Sequence, residues 1–379
     1  MSDNPLRRLN AAGQSIWLDY IDRTILRNGD LQRRIRDEAL SGMTSNPTIF
    51  EKALAEGATY DDQIRGAPNS LTAMDLFELI ATTDVRDACD LFRGVHTQTR
   101  GGDGFVSIEV SPAAANDAVA TISEASRLWA SVDRPNVMIK VPGTVEGAKA
   151  VRQLTANGLN INITLLFSLT AYQSVIDAYM AGLEDRVAAG KDISHLHSVA
   201  SFFVSRVDTE VDKRLDAAAK TAPSARETLS ALKGKAAIAN AKLAYRLFQA
   251  ETNGARWKAL AARGANVQRP LWASTSTKNP AYRDVMYVEQ LIGPDTVNTM
   301  PPQTIDAFRE HGVVERTVDA GVDEAERVFA ALEGNGVSMR DVTDKLLEDG
   351  LASFAKSFET LIAGLRVKTK ALGKELVAS

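Results

Sequence analysis

Short apolar runs recur along this chain, each followed by a longer stretch with helical spacing. Asn136–Thr144 shows the pattern most sharply. Val137, Ile139 and Val141 alternate with Asn136, Met138 and Lys140, the period of a strand whose two faces meet different surroundings. Pro142-Gly143 stops the run just after the lysine.

The other elements follow in order. Pro5–Ala12 predicts a short leading helix and Ser15–Ile21 a first strand. Asp30 is placed to cap a helix running to about Leu40,. Gly42–Asn46 reads as a second strand, ended by Asn46-Pro47, with helix from Thr48 onward. Ser70 to about Phe92 is a long helix with an apolar stripe that includes Leu76 and Ile80,. After the Gly101–Gly104 turn, Phe105–Ser111 is a third strand, and Pro112 opens the next helix,. The Lys140 run is the fourth strand. Helix 144–157 ends at Gly158, Asn160–Phe167 is the fifth strand, and Ser168 caps a helix to about Ala189. Ser198–Val204 is the sixth strand, followed by an alanine-rich helical region broken near Pro223. Arg269–Ser274 and Thr296–Met300 are the seventh and eighth strands, Pro301-Pro302 opens another helix, and about 321–375 is helical.

Strands alternating with helices at this count predict an α/β fold: a closed parallel (β/α)8 barrel with additional N- and C-terminal helices. The competing arrangement is an open doubly wound sheet. No Gly-x-Gly-x-x-Gly turn follows a strand and no Walker loop occurs,. No composition shift marks a boundary. Residues 1–379 are therefore expected to form one barrel domain, with 321–379 as a C-terminal helical extension.

Composition narrows the function. With 24% charged residues and a net charge of −4, the chain is not basic enough to point to nucleic acid,. The lone Cys89 excludes an internal disulfide and a cysteine-based metal cluster,. His195-Leu196-His197, just ahead of the sixth strand, suits a turn or cap better than metal ligation,. No apolar run reaches membrane length and no targeting segment opens the chain, so a cytoplasmic protein is expected,.

Barrel interiors are usually filled by branched apolar residues. Here polar residues gather at the strand ends where such barrels hold their sites: Asp19 with Trp17, Thr44 with Asn46, Glu109 with Ser107, and Asn162 with Thr164. Ser201 and Phe203 end the sixth strand with Arg206 just beyond, and Ser276 and Lys278 follow the seventh. Each has an ordinary alternative. A lysine at a strand end is usually solvated, Asn46 before proline builds turns, and Glu109 or Arg206 could sit at a surface. Together they describe a pocket holding an amine, carboxylates, carboxamides, hydroxyls and cations.

That set suits Schiff-base chemistry on a ketone. An ammonium inside a barrel mouth is expensive to keep charged, and a neutral amine attacks carbonyls. The protonated imine is then an electron sink for breaking the next carbon–carbon bond but one. Asp19 can take the hydroxyl proton that this step releases. Glu109 can shuttle protons for dehydration, through a water held by Thr164. Asn46 and Asn162 can fix substrate hydroxyls. Arg206 and Lys278, with Ser201 and Ser276, suit a phosphate. No metal or other cofactor is called for.

Several of these stretches are similar to those of the transaldolase family. They are Trp17-Leu18-Asp19, Thr44-Ser45-Asn46-Pro47, Ile139-Lys140, Asn162–Ser168 and Ser201–Arg206, in the family's order. The length and the Trp272–Pro280 segment resemble a bacterial and plant-type branch. The resemblance implies a TIM-barrel transferase of the non-oxidative pentose phosphate pathway. It would move a dihydroxyacetone unit from sedoheptulose 7-phosphate or fructose 6-phosphate to glyceraldehyde 3-phosphate or erythrose 4-phosphate. It implies Lys140 as the Schiff-base lysine, Asp19 as acid/base, and Glu109 working with water and Thr164. Asn46 and Asn162 would hold the three-carbon unit, while Ser201, Arg206 and Lys278 fall on phosphate contacts. Better-known members carry arginine where Lys278 stands. Relatives that release dihydroxyacetone to water tend to have glutamine at the place of Glu109 and tyrosine at that of Phe203, which favours transfer here. The remaining alternative is a barrel that only binds sugar phosphates. The expected partners are phosphorylated ketoses and aldoses, not nucleic acid or membrane, and monomer and homodimer both stay open.

Overall fold

A computed structural model describes residues 4–55 and 57–377; residues 1–3, Glu56 and 378–379, and with them both ends of the expected 1–379 span, lie outside the described residues. The strands are β1 (Gln14–Asp19), β2 (Leu40–Thr44), β3 (Phe105–Glu109), β4 (Val137–Pro142), β5 (Ile161–Leu166), β6 (Ser198–Phe203), β7 (Gln268–Ala273) and β8 (Thr296–Met300). They close in chain order into one parallel barrel. Pairing of β1 with β8, Gln14 opposite Thr296 through Leu18 opposite Met300, is what the doubly wound alternative would lack.

One end of the barrel is filled. Trp17 is fully buried, and a Cβ on Gly42 would lie 2.5 Å from its indole, so β2 needs glycine there,. The indole Nε1 donates to Asp103 Oδ1 at 2.8 Å. Asp103 also accepts from Ser15 and lies 3.7 Å from the Arg269 guanidinium. Polar groups sunk this deep are thus mutually satisfied. The other end, at the strand C-termini, stays open.

Several boundaries differ from the sequence expectation for local reasons. Asp30 is not the cap of its helix: Gly29, at φ +87°, precedes it, and Asp30 is the first helical residue of Asp30–Glu38. Its carboxylate pairs instead with Arg33 at 2.6 Å and Arg34 at 3.1 Å, a stabilising charge for a helix start. That helix stops at Glu38 because Ala39 turns left-handed, and β2 therefore begins at Leu40, earlier than expected. Pro112 opens only a single 3-10 turn, Pro112–Ala114. The helix Ala118–Val132 starts after Asp117, whose carboxylate accepts from the amides of Val119 and Ala120,. The long helix is Ala73–Leu91, entered through a Thr72/Asp75 capping box,. His195 bonds Asp192 within the turn before β6, and His197 packs on Phe105, so neither departs from a turn role. No helix among the described residues is long and apolar enough to cross a membrane.

After β6, the helix Ser205–Thr221 buries Asp208. Its carboxylate accepts from the Ala237 amide at 2.8 Å and the Tyr287 hydroxyl at 2.8 Å. Burial pushes its pKa up to about 6, against those hydrogen bonds,. Between about pH 4 and pH 6 the folded protein thus holds a proton that the unfolded chain releases, and stability falls as pH rises across that window. Asp208→Asn keeps an acceptor for Ala237 and is expected to flatten that part of the melting-temperature profile. Thermal melts from pH 4 to 7 check this, and an unchanged slope would assign the dependence elsewhere.

Candidate active site

The open end holds a cavity of about 310 Å³. Asp19, Asn46, Lys140, Thr164, Ser201, Phe203, Arg206, Ser276 and Lys278 all line it, as the sequence predicts. Strand register explains half of this. Glu109 pairs with Lys140 across β3 and β4, Lys140 with Asn162 across β4 and β5, and Asp19 with Thr44 across β1 and β2. Parallel partners at one level share a face, so the period of two that points one side chain inward points its neighbours inward as well.

Lys140 is 5% exposed. Its Nζ lies 3.0 Å from Glu109 Oε2 and donates to the Ser45 carbonyl at 3.0 Å. Apart from this ion pair, Oε2 has no hydrogen-bond partner. Burial holds the Glu109 carboxyl above its ordinary range, with Lys140 pulling the other way,. Burial raises Asp19 too, opposed by Lys140 and by the hydroxyl of Thr44, which donates to Oδ1 at 2.8 Å. Thr44 Oγ1 is also 2.7 Å from Thr299 Oγ1. Since the Thr44 proton goes to Asp19, Thr299 is the donor of that second bond.

Thr164 is fully buried and its Oγ1 has no hydrogen-bond partner among the described residues. A lone hydroxyl facing a cavity is a seat for water or substrate. The next residue corrects an expectation. Leu165 does not continue the outward face of Ile161 and Ile163: its backbone is left-handed at φ +58°, and pairing of β5 with β6 slips between Ile163 and Leu166. A non-glycine residue there is uncommon and is held by its surroundings. Ser274, on the cavity wall, is left-handed too, at φ +56°.

Two predicted residues lie behind the wall. Glu109 reaches the cavity only through Lys140. Asn162 is fully buried; it accepts from Ser201 Oγ at 2.7 Å and donates to Ser107 Oγ at 3.0 Å. The hydroxyl proton of Ser201 is therefore directed at Asn162, not at the space where a phosphate was expected. Asn46 combines its two readings: its Oδ1 caps the following helix by accepting from the Ile49 amide at 3.0 Å, and it also lines the cavity.

The opposite wall is cationic. Lys278 donates to Ser276 Oγ at 3.0 Å, which leaves the Ser276 proton free. Arg206 lies over the ring of Phe203, 5.0 Å from its centroid, and 6.0 Å from that of Phe354. Phe354, Thr299, Gln303 and Lys52 line the cavity without having been predicted. Thr299 carried a faint signal as a polar residue near the end of β8. Phe354 carried none, since its helix, Met339–Ala371, comes after the barrel is complete.

Residues 16–365 match the family described as Transaldolase/Fructose-6-phosphate aldolase. The chain is 46% identical to "Transaldolase" of Trichodesmium erythraeum over 377 residues, 98% of this chain and 99% of that protein. It is 49% identical to "Transaldolase" of Thermobifida fusca over 361 residues, 95% and 96% of the two chains. "Transaldolase 2" of Nostoc sp. (strain PCC 7120) is 46% identical over 98% of this chain and 99% of its own. The likeness thus takes in the C-terminal helices as well as the barrel.

Removing the amine leaves a buried carboxyl without its counter-charge. Lys140→Met is expected to lose roughly 3–5 kcal/mol of stability at neutral pH. The loss shrinks as pH falls and Glu109 takes up a proton. Lys140→Met combined with Glu109→Gln should recover most of it. Denaturant unfolding of the single and double variants at two pH values checks the coupling.

Proposed function

The chain belongs to the transaldolase/fructose-6-phosphate aldolase family and functions as a transaldolase, a transferase acting on sugar phosphates, and we propose that Lys140 carries its reaction as a Schiff base. The observation that carries this assignment is the buried amine held 3.0 Å from a carboxylate whose own proton affinity is raised. Proton transfer from Nζ to Glu109 gives a neutral amine already facing the cavity. It attacks the C2 carbonyl of a ketose phosphate. Glu109 returns the proton through a water seated on the Thr164 hydroxyl, hydroxide leaves as water, and an iminium forms.

Asp19 then accepts the C4 hydroxyl proton. The C3–C4 bond breaks, its electron pair moves into the iminium, and an aldose phosphate departs. The enamine that stays on Lys140 attacks the aldehyde carbon of an acceptor, while Asp19 gives its proton to the new hydroxyl. Hydrolysis releases the lengthened ketose. We take the donors to be sedoheptulose 7-phosphate or fructose 6-phosphate, the acceptors glyceraldehyde 3-phosphate or erythrose 4-phosphate, and the setting the pentose phosphate pathway in the cytoplasm. The phosphate is assigned to Arg206, Lys278 and Ser276, beside the first turn of helix Ser205–Thr221, whose amides favour an anion,. Ser201, oriented from behind by Asn162, holds the three-carbon unit jointly with Asn46. The helices Val322–Gly334 and Met339–Ala371 are taken as part of the same catalytic unit, because Phe354 lines its cavity.

Borohydride added with fructose 6-phosphate is expected to fix a sugar on the Lys140 peptide, read by mass spectrometry, and to leave Lys140→Met unlabelled. An unlabelled wild-type lysine would end this reading. Without an acceptor aldehyde, consumption of fructose 6-phosphate should stall near one equivalent per site; sustained turnover would assign a free aldolase instead. Activity should fall as pH is lowered through the raised Glu109 value, an acid limb lying above the ordinary carboxylate range,. Glu109→Gln should lose that limb along with most of kcat.

A further inference from the structure

We propose that Phe354 is a positioning residue for Arg206, and that it thereby sets the preference of this site for phosphorylated over unphosphorylated sugars. The inference rests on the reading of Arg206 as a phosphate ligand. Arg206 is an unusual cation. Its guanidinium is partly buried and makes no hydrogen bond or ion pair with any described residue, though the charges of Asp19 and Glu109 act on it from across the cavity. Among the described residues two aromatic rings flank it, Phe203 at 5.0 Å and Phe354 at 6.0 Å. Phe203 ends β6, three residues before Arg206 in the first turn of the next helix, and leans on Phe167, with ring centroids 5.3 Å apart. Phe354 comes from a distant helix, so it constrains the guanidinium independently.

The fold fixes that helix where it can act. Gly350 lies four residues before Phe354 and so faces the same way. A Cβ on Gly350 would meet Leu165 Cδ2 at 3.0 Å and Arg206 Nη1 at 3.7 Å. The helix thus comes within contact of both the left-handed residue of β5 and the arginine. Farther along, Thr48 donates to Ser357 Oγ at 2.8 Å, and Phe358 packs edge-on against Phe77 at 5.5 Å. The helix therefore bridges the rim beside Asn46 and the rim beside Arg206. An arginine side chain free of hydrogen bonds would lose much rotamer freedom on binding an anion. Stacking between two rings removes part of that freedom beforehand and leaves all five N–H groups for a phosphate.

The test compares fructose 6-phosphate with fructose as donors to one acceptor, in wild type, Phe354→Ala and Phe354→Tyr. Phe354→Ala should raise KM for fructose 6-phosphate about five- to tenfold, with kcat changed less than about twofold and kcat/KM for fructose unaltered. Phe354→Tyr keeps the π face and should stay near wild type. Equal losses on both sugars, a fall in kcat at fixed KM, or no change at all would overturn the proposal. If Phe354→Ala melts, Phe354→Leu keeps apolar volume without a ring and is expected to give the same KM shift. Borohydride trapping at saturating fructose 6-phosphate separates the failures. Wild type that does not trap refutes the Schiff-base reading, whereas trapping with unshifted Phe354→Ala kinetics refutes only the role of Phe354.

Discussion

Everything in this molecule turns on a lysine and a glutamate that share one small dry space. Taking both charges out of water is costly, and their attraction returns that free energy only because the geometry is close. Such a pair adds little to stability. What it supplies is an amine and a carboxylate 3.0 Å apart, close enough to exchange a proton directly. Register makes the pair inevitable once β3 and β4 lie side by side, since Glu109 and Lys140 are direct partners. Both side chains are almost fully buried, so solvent screens the interaction little,.

The cavity divides its labour by origin. The groups assigned to proton handling and to the three-carbon unit come from β1 to β5 and are held by side-chain partners: Asp19 by Thr44, Glu109 by Lys140, Asn162 by Ser107 and Ser201. The cations assigned to phosphate, Arg206 and Lys278, come from the segments after β6 and β7, with the last helix closing over Arg206. Bond-making groups need sub-ångström placement, which a barrel frame supplies. A phosphate is large and strongly charged, and it can be gripped by less rigid parts.

Much of this was legible in the residues. A period of two, strand after strand, was enough to place Lys140, Asp19, Glu109 and Thr164 on inward faces, and parallel pairing did the rest. What stayed hidden had identifiable causes. Nothing in a leucine announces a left-handed backbone, so Leu165 broke the alternation without warning. Asp30 looked like a cap because the glycine before it gave no sign of its own positive φ. Ser201 was assigned to phosphate because sequence cannot say which acceptor takes a hydroxyl proton; Asn162 does. Phe354 was beyond reach because a helix outside the repeating units can dock anywhere on the barrel.

The tryptophan stopper beneath the cavity has a kinetic meaning. With Trp17 wedged against Gly42 and tied to Asp103, the chamber is a cul-de-sac. Whatever enters must back out by the same doorway. The first departing fragment and the incoming partner cannot pass each other, so one must vacate before the other arrives. On the Schiff-base reading, a three-carbon fragment waits meanwhile on the amine of Lys140. Alternating occupancy of this kind is dictated by plumbing alone, whichever aldehyde is next in line.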